Sequence, residues 1–350
     1  MGKRIAVVGA GAVGGYVGGY LTHAGNDVTL IDPWPEHVEA MRRDGLKLSG
    51  LTAAERRTVK VDALHITDVQ SLVRQKPIDI ALISVKSYDT EWATVLIKPY
   101  LAPDGYVVSM QNCINEERIA AIVGWGRVLG CVMSLIAVDL YAPGHIKRTM
   151  PMGGSAHTVF RVGEPHGRVT SRVQEMVELL AACDSGKVTG NLWGERWSKL
   201  VVNSMRNGLS SVTALAGNQR DLAEQPRRVS IKLGSEAVRV GQALGFQLEK
   251  MVGMDPETLA RAGEGHADAL AEIVDQIIAG ARKRSDEQRP SMAQDIQKGR
   301  RTETDFINGF VAAKGAEIGI AAPTHAKINE LVKKVERGEL KPNPDCIKNL

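Results

Sequence analysis

The sequence has few cysteines and no long apolar run. Four cysteines occur in 350 residues, none in a CxxC or zinc-type spacing, so a disulfide framework is improbable and buried reduced thiols are favoured. No apolar stretch approaches the ~20 residues that a membrane helix needs, and no charged-then-apolar signal region precedes the first strand. We therefore expect a cytoplasmic protein that has no membrane partner.

Charge and metal-binding patterns are also sparse. The formal net charge is only +4, and basic residues concentrate only around residues 282–301. This small, dispersed charge favours an anionic small molecule over nucleic acid as a partner. The sequence contains no HxxxH and no clustered Cys/His pattern, so no metal site is expected. The length suffices for two domains.

The N-terminal stretch carries the first informative pattern. Residues 3–8 form a short β-branched run without alternation, which is typical of a buried parallel strand. A GxGxxG turn follows directly. In such a turn the first glycine permits the bend, the second lets a pyrophosphate approach, and the third lets the next helix pack closely. The sequence therefore predicts a dinucleotide site that contains Gly9, Gly11, Ala12, Val13 and Gly14.

The helix that follows supports the same interpretation. It is predicted over residues 12–24, and its N-terminal amides would hold the pyrophosphate. A second strand, residues 27–31, ends at Asp32, 18 residues beyond Gly14. There a carboxylate can accept hydrogen bonds from the adenosine ribose hydroxyls. The alternative is a glycine-rich helix that packs tightly and binds no ligand.

The rest of the chain separates into two parts. Further buried strands are predicted at residues 78–85 and 106–110, and the first of them ends at Lys86. Ligands of open α/β sheets lie beyond the carboxyl ends of the strands, so Lys86 should face the cofactor, unless it is a solvated loop lysine. Three later segments look like antiparallel strands that extend the same sheet, namely residues 136–140, 144–149 and 158–162.

No strand pattern remains beyond residue 192, and one predicted helix spans residues 256–284. The fold class is therefore α/β, with an N-terminal Rossmann-type doubly wound sheet followed by an all-helical C-terminal domain. We place the dinucleotide-binding domain at residues 1–189 and the substrate and catalytic domain at residues 190–337. Residues 338–350 are expected to form a poorly packed tail.

One predicted helix carries an unusual polar stripe. Lys199, Asn203 and Asn207 are spaced four residues apart, which places them on one helix face. Asparagine is a poor helix former, so two of them in a helix interior suggest that their amides serve another purpose. Two amides and an ammonium suit a substrate with hydroxyl, carbonyl and carboxylate oxygens. Alternatively, the amides tie the helix to a neighbouring backbone.

Several motifs occur at specific spacing along the chain. They are the Gly9–Gly14 turn, Val85-Lys86, Gln111-Asn112, Trp197-Ser198-Lys199-Leu200 with Asn203 and Asn207, Pro290-Ser291-Met292, and Gly299-Arg300-Arg301-Thr302-Glu303. Together these motifs resemble the ketopantoate reductase (2-dehydropantoate 2-reductase) family. The resemblance spans about residues 3–335. It implies a Rossmann domain and a helical domain with the active site in the cleft between them. It also implies hydride transfer from a nicotinamide to the ketone carbon of a 2-oxo acid.

The resemblance also implies roles for individual residues. Lys199 would be the general acid, and Glu303 would orient that lysine or a substrate hydroxyl and is counted among the cofactor-binding residues too. Asn203 and Asn207 would bind polar groups of the substrate. Ser291 would bind the substrate carboxylate. Lys86 and Asn112 would border the nicotinamide and the reacting carbonyl.

The chain departs from the family pattern at four places. Cys113 stands where the family commonly has glycine, Gly208 stands where it commonly has proline, and the segment 254–288 is longer than usual. The fourth is Asp32, because NADP is the family's usual cofactor and a basic residue is common near this point. A carboxylate would repel the 2′-phosphate, so we predict NAD.

Two other functions stay open beside the leading one. Within the family, the substrate is ketopantoate or another branched or aromatic 2-hydroxy acid. A 3-hydroxyacid or opine-type dehydrogenase shares the two-domain plan and would use a histidine, for which His266 and His325 are available. A regulator that binds NAD without turnover would not need the acid at Lys199. A homodimer is expected because soluble enzymes are commonly dimeric.

Overall fold

The computed structural model describes residues 2–284 and 289–350. The chain forms two compact units, Met1–Leu192 (unit 1) and Trp193–Leu350 (unit 2). The last four residues of the long segment 254–288 lie outside the described residues.

Unit 1 is built from strands and helices in alternation over residues 2–192, all of which are described. Its strands β1 to β12 are Arg4–Val8, Asp27–Asp32, Leu46–Ser49, Arg57–Val59, Asp62–His65, Ile78–Ile83, Leu101–Ser109, Val128–Met133, Val138–Ala142, His145–Arg148, Phe160–Gly163 and Gly186–Val188. Its helices α1 to α5 are Ala12–His23, Pro35–Asp44, Thr90–Ile97, Glu116–Val123 and Ser171–Leu180.

Eight of these strands form the main sheet, in the order β12-β11-β8-β7-β6-β1-β2-β5. All neighbours are parallel except β8 and β11. The central strands β1, β6, β7 and β8 are buried along most of their length, which explains their predominantly apolar sequence. The predicted doubly wound sheet is confirmed.

The prediction that residues 136–149 extend this sheet is wrong. The strands β9 and β10 belong to a second sheet of four strands, in the order β4-β3-β10-β9. The strand β10 pairs with β3 in parallel, and the amide of Lys47 donates to the carbonyl of Gly144, 2.8 Å away. Only β11, within the third predicted segment, joins the main sheet.

The glycine-rich helix α1 lies between the two sheets. A Cβ built at Gly18 would lie 2.3 Å from Leu30 of the main sheet. On the other side, a Cβ at Gly15 would lie 2.3 Å from Ile146 of the second sheet. Glycines therefore let both sheets approach one helix, and the second sheet covers a face of α1 that would otherwise be open.

The regular secondary structure that is described in unit 2 consists of helices, apart from one isolated bridge between Met251 and Met254. Helix α6, Leu192–Thr213, leads into it from the end of unit 1. The helices α7 to α13 are Gly217–Leu222, Glu224–Ala243, Pro256–Gly263, Ala267–Ala281, Ser291–Gln297, Asn308–Glu317 and Pro323–Glu336. The all-helical C-terminal region is confirmed.

Two predictions about unit 2 require correction. The segment 256–284 is two helices, because Gly265 has φ +94°, a left-handed conformation that ends α9 and that glycine adopts without steric cost. The C-terminal residues 338–350 are mostly exposed, but they are anchored to the rest of unit 2 at Ile347. Ile347 is fully buried, its carbonyl accepts a bond from the Gln225 amide at 2.8 Å, and the amide of Asn343 donates to Val212.

None of the helices in residues 2–284 and 289–350 is both long and apolar enough to span a bilayer.

The packing of the C-terminus gives a first prediction. Ile347→Ala should lower the free energy of unfolding by about 2 to 5 kcal/mol, because it leaves a cavity in unit 2. Urea unfolding followed by circular dichroism measures this change. The control Asn349→Ala, at an exposed site two residues later, should change stability by less than about 0.5 kcal/mol. Equal, small effects of both variants would contradict the observed packing.

Candidate active site

The turn after β1 places its three glycines in three different environments. Gly9 has φ +95°, and a Cβ there would lie 2.7 Å from the amide nitrogen of Val85. A Cβ at Gly14 would lie 2.0 Å from the carbonyl oxygen of Gly9. At Gly11, by contrast, no atom of the described residues lies within 4 Å of the added Cβ. The first glycine permits the bend, the third permits close packing, and the second leaves room for a ligand.

Helix α1 begins at this open space. Its N-cap is Gly11, which receives no side-chain cap from the described residues, and no acidic side chain lies in the first turn. Ala12 and Val13 are half-buried. The uncapped amides and the positive end of the helix dipole are the donors that a pyrophosphate needs. The predicted cofactor-binding residues therefore fit a dinucleotide.

Asp32 ends β2, one strand away from the glycine turn. It is 7% exposed, and its Oδ1 accepts a hydrogen bond of 2.9 Å from the amide of Trp34. Burial raises the pKa of Asp32 above its usual value, while the neighbouring backbone of Trp34 and Ala10 opposes the rise. The carboxylate thus sits beside the turn, where a ribose is expected.

The arginines that follow Asp32 are engaged with acids. Arg42 binds Glu39 and Asp68 at 2.9 and 2.6 Å and donates to a backbone carbonyl as well. Arg43 binds Asp44 at 2.8 Å. A 2′-phosphate would have to compete with these carboxylates for either guanidinium.

The loops that carry Lys86 and Asn112 are joined to each other. Lys86 follows β6 and is the N-cap of a short 3₁₀ helix, and Asn112 follows β7. Between them, the side-chain amide of Gln111 donates to the carbonyl of Val85 at 2.9 Å and to the hydroxyl of Thr90 at 2.8 Å. Because Gly9 packs on the same Val85, the structure brings the glycine turn and both loops to one edge of the sheet.

Cys113 shows how the chain accommodates a departure from the family pattern. Its φ is +67°, in the left-handed region where glycine is favoured, and its side chain is buried. The turn after Asn112 thus keeps a glycine-like backbone although the residue is not glycine. An L-residue in this conformation costs on the order of 1 kcal/mol.

In unit 2, the stripe of Lys199, Asn203 and Asn207 lies on α6. Trp197 fixes the orientation of this helix: its indole is buried, donates to the carbonyl of Ala237 at 2.8 Å, and packs where a Cβ at Gly241 would collide with it. Lys199, two residues after Trp197, is rotated by about 200° from it around the axis of α6. Lys199 is therefore on the side of α6 opposite to the face that packs on α8, whereas Asn207, ten residues beyond Trp197, is about 80° from that face and is buried.

Glu303 and Ser291 lie on separate elements of unit 2. Glu303 is buried and is the N-cap of a short 3₁₀ helix that leads into α12. The segment that follows Glu303 contacts α6, because the side-chain amide of Asn308 donates to the carbonyl of Ser204 at 3.1 Å. Gly208 makes room for this contact, since a Cβ there would lie 2.6 Å from Asn308. Ser291 is exposed at the first position of α11.

The two histidines considered as alternative catalytic groups have other surroundings. His325 is fully buried, with Nε2 at 2.8 Å from the carbonyl of Leu233 and Nδ1 at 3.1 Å from Asn308. Burial lowers the pKa of His325 to about 4, so the ring is neutral at pH 7. His266 is exposed and precedes α10. His325 thus has a structural role, which leaves the opine-type alternative without a placed base.

The sequence interpretation assigned no role to Arg206. It follows Lys199 by seven residues, two helical turns, so it continues the same stripe. Burial and the neighbouring Arg220 lower the pKa of Arg206 to about 10. The helical spacing was the signal that could have included it.

Comparison with known proteins identifies the chain. Residues 5–160 match the family model described as "Ketopantoate reductase PanE/ApbA", and residues 191–336 match its C-terminal counterpart. The chain belongs to the ketopantoate reductase family. Its members include the 2-dehydropantoate 2-reductase of Pyrococcus horikoshii, which is 30% identical over 335 residues, 95% of this chain and 97% of that one. The chain is therefore a nicotinamide-dependent oxidoreductase that acts on a small molecule.

Solved structures agree with this assignment. The ketopantoate reductase of the PanE/ApbA family from Ralstonia eutropha is 28% identical to this chain and superposes with a TM-score of 0.77. The superposition covers 96% of this chain and 99% of the Ralstonia chain. A D-mandelate dehydrogenase solved with NADH and anilino(oxo)acetate has a TM-score of 0.78, at 97% and 100% coverage. At 21% identity, the second likeness shows similarity of fold alone.

The glycine environments give a second prediction. Gly11→Ala should weaken NADH binding at least ~10-fold, because its methyl group enters the space that the pyrophosphate would occupy. Its free energy of unfolding should change by less than about 1 kcal/mol, since the methyl group meets no protein atom. Isothermal titration calorimetry and urea unfolding measure the two effects.

Gly14→Ala is the matched comparison, because its methyl group collides with protein and not with ligand space. It should lower the free energy of unfolding by about 1 to 3 kcal/mol. If Gly11→Ala binds NADH with the affinity of the unsubstituted protein, the assignment of the Gly9–Gly14 turn to the pyrophosphate is contradicted.

Proposed function

We propose that this chain reduces a 2-oxo acid to a 2-hydroxy acid with a nicotinamide cofactor, the substrate being ketopantoate or a close relative. The observation that carries the proposal is the stripe of Lys199, Asn203 and Asn207 on α6. An ammonium and two amides in one row match the carbonyl, hydroxyl and carboxylate oxygens of such a substrate. The family membership and the glycine turn of unit 1 support the same reaction.

In this proposal Lys199 is the general acid. The bound nicotinamide supplies a hydride to the ketone carbon, and negative charge develops on the carbonyl oxygen. The Nζ of Lys199 stabilises that charge and transfers a proton to the oxygen, which gives the hydroxyl group of the product. A positioned donor of this kind is worth about 2.7 to 4 kcal/mol in the transition state. The lysine regains its proton from solvent.

The other predicted residues hold the reactants in this proposal. Asn203 and Asn207 bind polar groups of the substrate, and Ser291 binds its carboxylate. Glu303 orients Lys199 or a substrate hydroxyl, and its burial suits a fixed carboxylate. The remaining two, Lys86 and Asn112, border the nicotinamide, and the bonds of Gln111 join their loops.

We further propose a preference for NAD over NADP. Asp32 is the observation behind it, since a 2′-phosphate beside a buried carboxylate would be repelled by several kcal/mol at an effective dielectric constant of ~20. Arg42 and Arg43 already bind carboxylates. Asp32 also favours the second candidate function, an NAD-dependent dehydrogenase of a different branched or aromatic 2-hydroxy acid. The homodimer expected from the sequence stays a prediction.

The third prediction tests the acid. Lys199→Ala should lower kcat at least ~100-fold while the Kd for the cofactor stays nearly unchanged. Stopped-flow turnover and calorimetry report the two quantities separately. Lys327→Ala is the control, because this lysine is half-exposed on α13 and pairs with Glu330 at the surface. Near-normal turnover of Lys199→Ala would refute the assigned role.

The fourth prediction tests the cofactor preference. Asp32→Asn should raise the ratio of kcat/KM with NADPH to kcat/KM with NADH at least ~10-fold, because it removes the repelling charge. The control Asp104→Asn, at an exposed site in β7, should leave the ratio unchanged. If the unsubstituted protein already prefers NADPH, the proposed NAD preference is wrong.

A further inference from the structure

His37 is a fully buried histidine of α2 whose two ring nitrogens are both engaged. The amide of Gly144 donates to Nδ1 at 2.8 Å, and Nε2 lies 2.9 Å from the carbonyl oxygen of Ala10. Because a backbone amide can only donate, Nδ1 must be the acceptor. The proton is therefore on Nε2, which donates to Ala10, and the ring is held as one neutral tautomer.

The partner of this histidine is the centre of the glycine turn. Ala10 lies between Gly9 and Gly11 and is fully buried. Its carbonyl oxygen accepts the hydrogen bond of His37 at 2.9 Å. A side chain of α2 therefore holds the backbone at the centre of the turn.

The other bond of His37 leads to the second sheet. Gly144 lies in the turn between β9 and β10, with φ +69°, and a Cβ there would lie 2.9 Å from Ala40 of α2. Ile146, two residues later, packs against Gly15 in the first turn of α1. The second sheet thus supports the glycine turn directly through Ile146 and indirectly through His37.

We propose that His37 is a positioning residue for the dinucleotide, which it serves by holding the glycine turn in the ligand-binding conformation before the ligand arrives. This inference rests on the proposed function, since it assumes that the turn binds a dinucleotide. A turn already ordered by protein side chains adds little entropic cost to binding. A turn without this bond has an unsatisfied, buried carbonyl and must be ordered by the ligand.

Two substitutions separate the two bonds of the ring. The amide of asparagine occupies about the place of Nδ1, so His37→Asn keeps a partner for Gly144 and loses the bond to Ala10. The amide of glutamine reaches about the place of Nε2, so His37→Gln keeps a donor for Ala10 and loses the bond to Gly144. The variants differ mainly in whether the glycine turn is held.

His325→Gln is the control for loss of a buried histidine. Like His37, His325 is fully buried and has both ring nitrogens engaged, but it lies in unit 2, where it bonds Leu233 and Asn308. Its replacement should lower the melting temperature and leave the Kd for NADH within twofold of the unsubstituted protein.

The experiment measures the Kd of NADH by calorimetry, the melting temperature without ligand, and kcat at saturating NADH and substrate. For His37→Asn we expect a Kd roughly five- to fifty-fold higher, the equivalent of one unsatisfied buried group, and kcat within about twofold. His37→Gln should bind NADH within about threefold of the unsubstituted protein, although both variants melt at lower temperature. This separation of affinity from stability would support a positioning role.

Three results would overturn the inference. Unchanged NADH affinity of His37→Asn, with a lower melting temperature, would reduce His37 to a structural residue. Equal loss of affinity in His37→Asn, His37→Gln and His325→Gln would show a general effect of instability. If the unsubstituted protein itself binds neither NADH nor NADPH, the proposed function fails and this inference fails with it.

Discussion

The close approach of α1 to the sheets on either side of it determines the arrangement of unit 1. The helix has no side chain at Gly14 and Gly18, where the main sheet packs, or at Gly15 and Gly19, where the second sheet packs. Any Cβ at these places would collide with β1, β2, β3, β10 or the turn itself. The same approach sets the start of α1 beside the strand ends, so that its uncapped amides lie at the edge where the loops of β6 and β7 meet. A packing constraint thereby places these amides where the phosphates of the proposed dinucleotide would bind.

Polar groups are buried in this protein where they hold backbone in place. Asp32 accepts a bond from the amide of Trp34, and Gln111 joins the loops after β6 and β7. In unit 2, Asn308 links the segment after Glu303 to α6. A buried polar group costs free energy unless it is hydrogen-bonded, and these bonds compensate that cost while they fix loop geometry. In the function proposed here, those loops carry the chemistry.

Local patterns in the sequence predicted much of the fold. The run from β1 through the glycine turn to Asp32 was readable because each part has its own signal: β-branched residues, glycine spacing and a carboxylate at the strand end. The second sheet was not readable, because short strands such as β10 give no indication of which distant strand they pair with. The break of α9 from α10 at Gly265 was missed because an isolated glycine is tolerated inside many helices.

The candidate site was predictable to a similar extent. The helical spacing of Lys199, Asn203 and Asn207 follows from the sequence, whereas the bond of His37 to the glycine turn joins residues 27 positions apart and has no local signal. The central claim is the reduction of a 2-oxo acid. Its most direct test is the loss of reduced-cofactor absorbance on adding ketopantoate, with NADH and NADPH run in parallel at equal concentration. We predict rapid oxidation of NADH and slower oxidation of NADPH, whereas no oxidation of either with ketopantoate or with a panel of other 2-oxo acids would contradict the account.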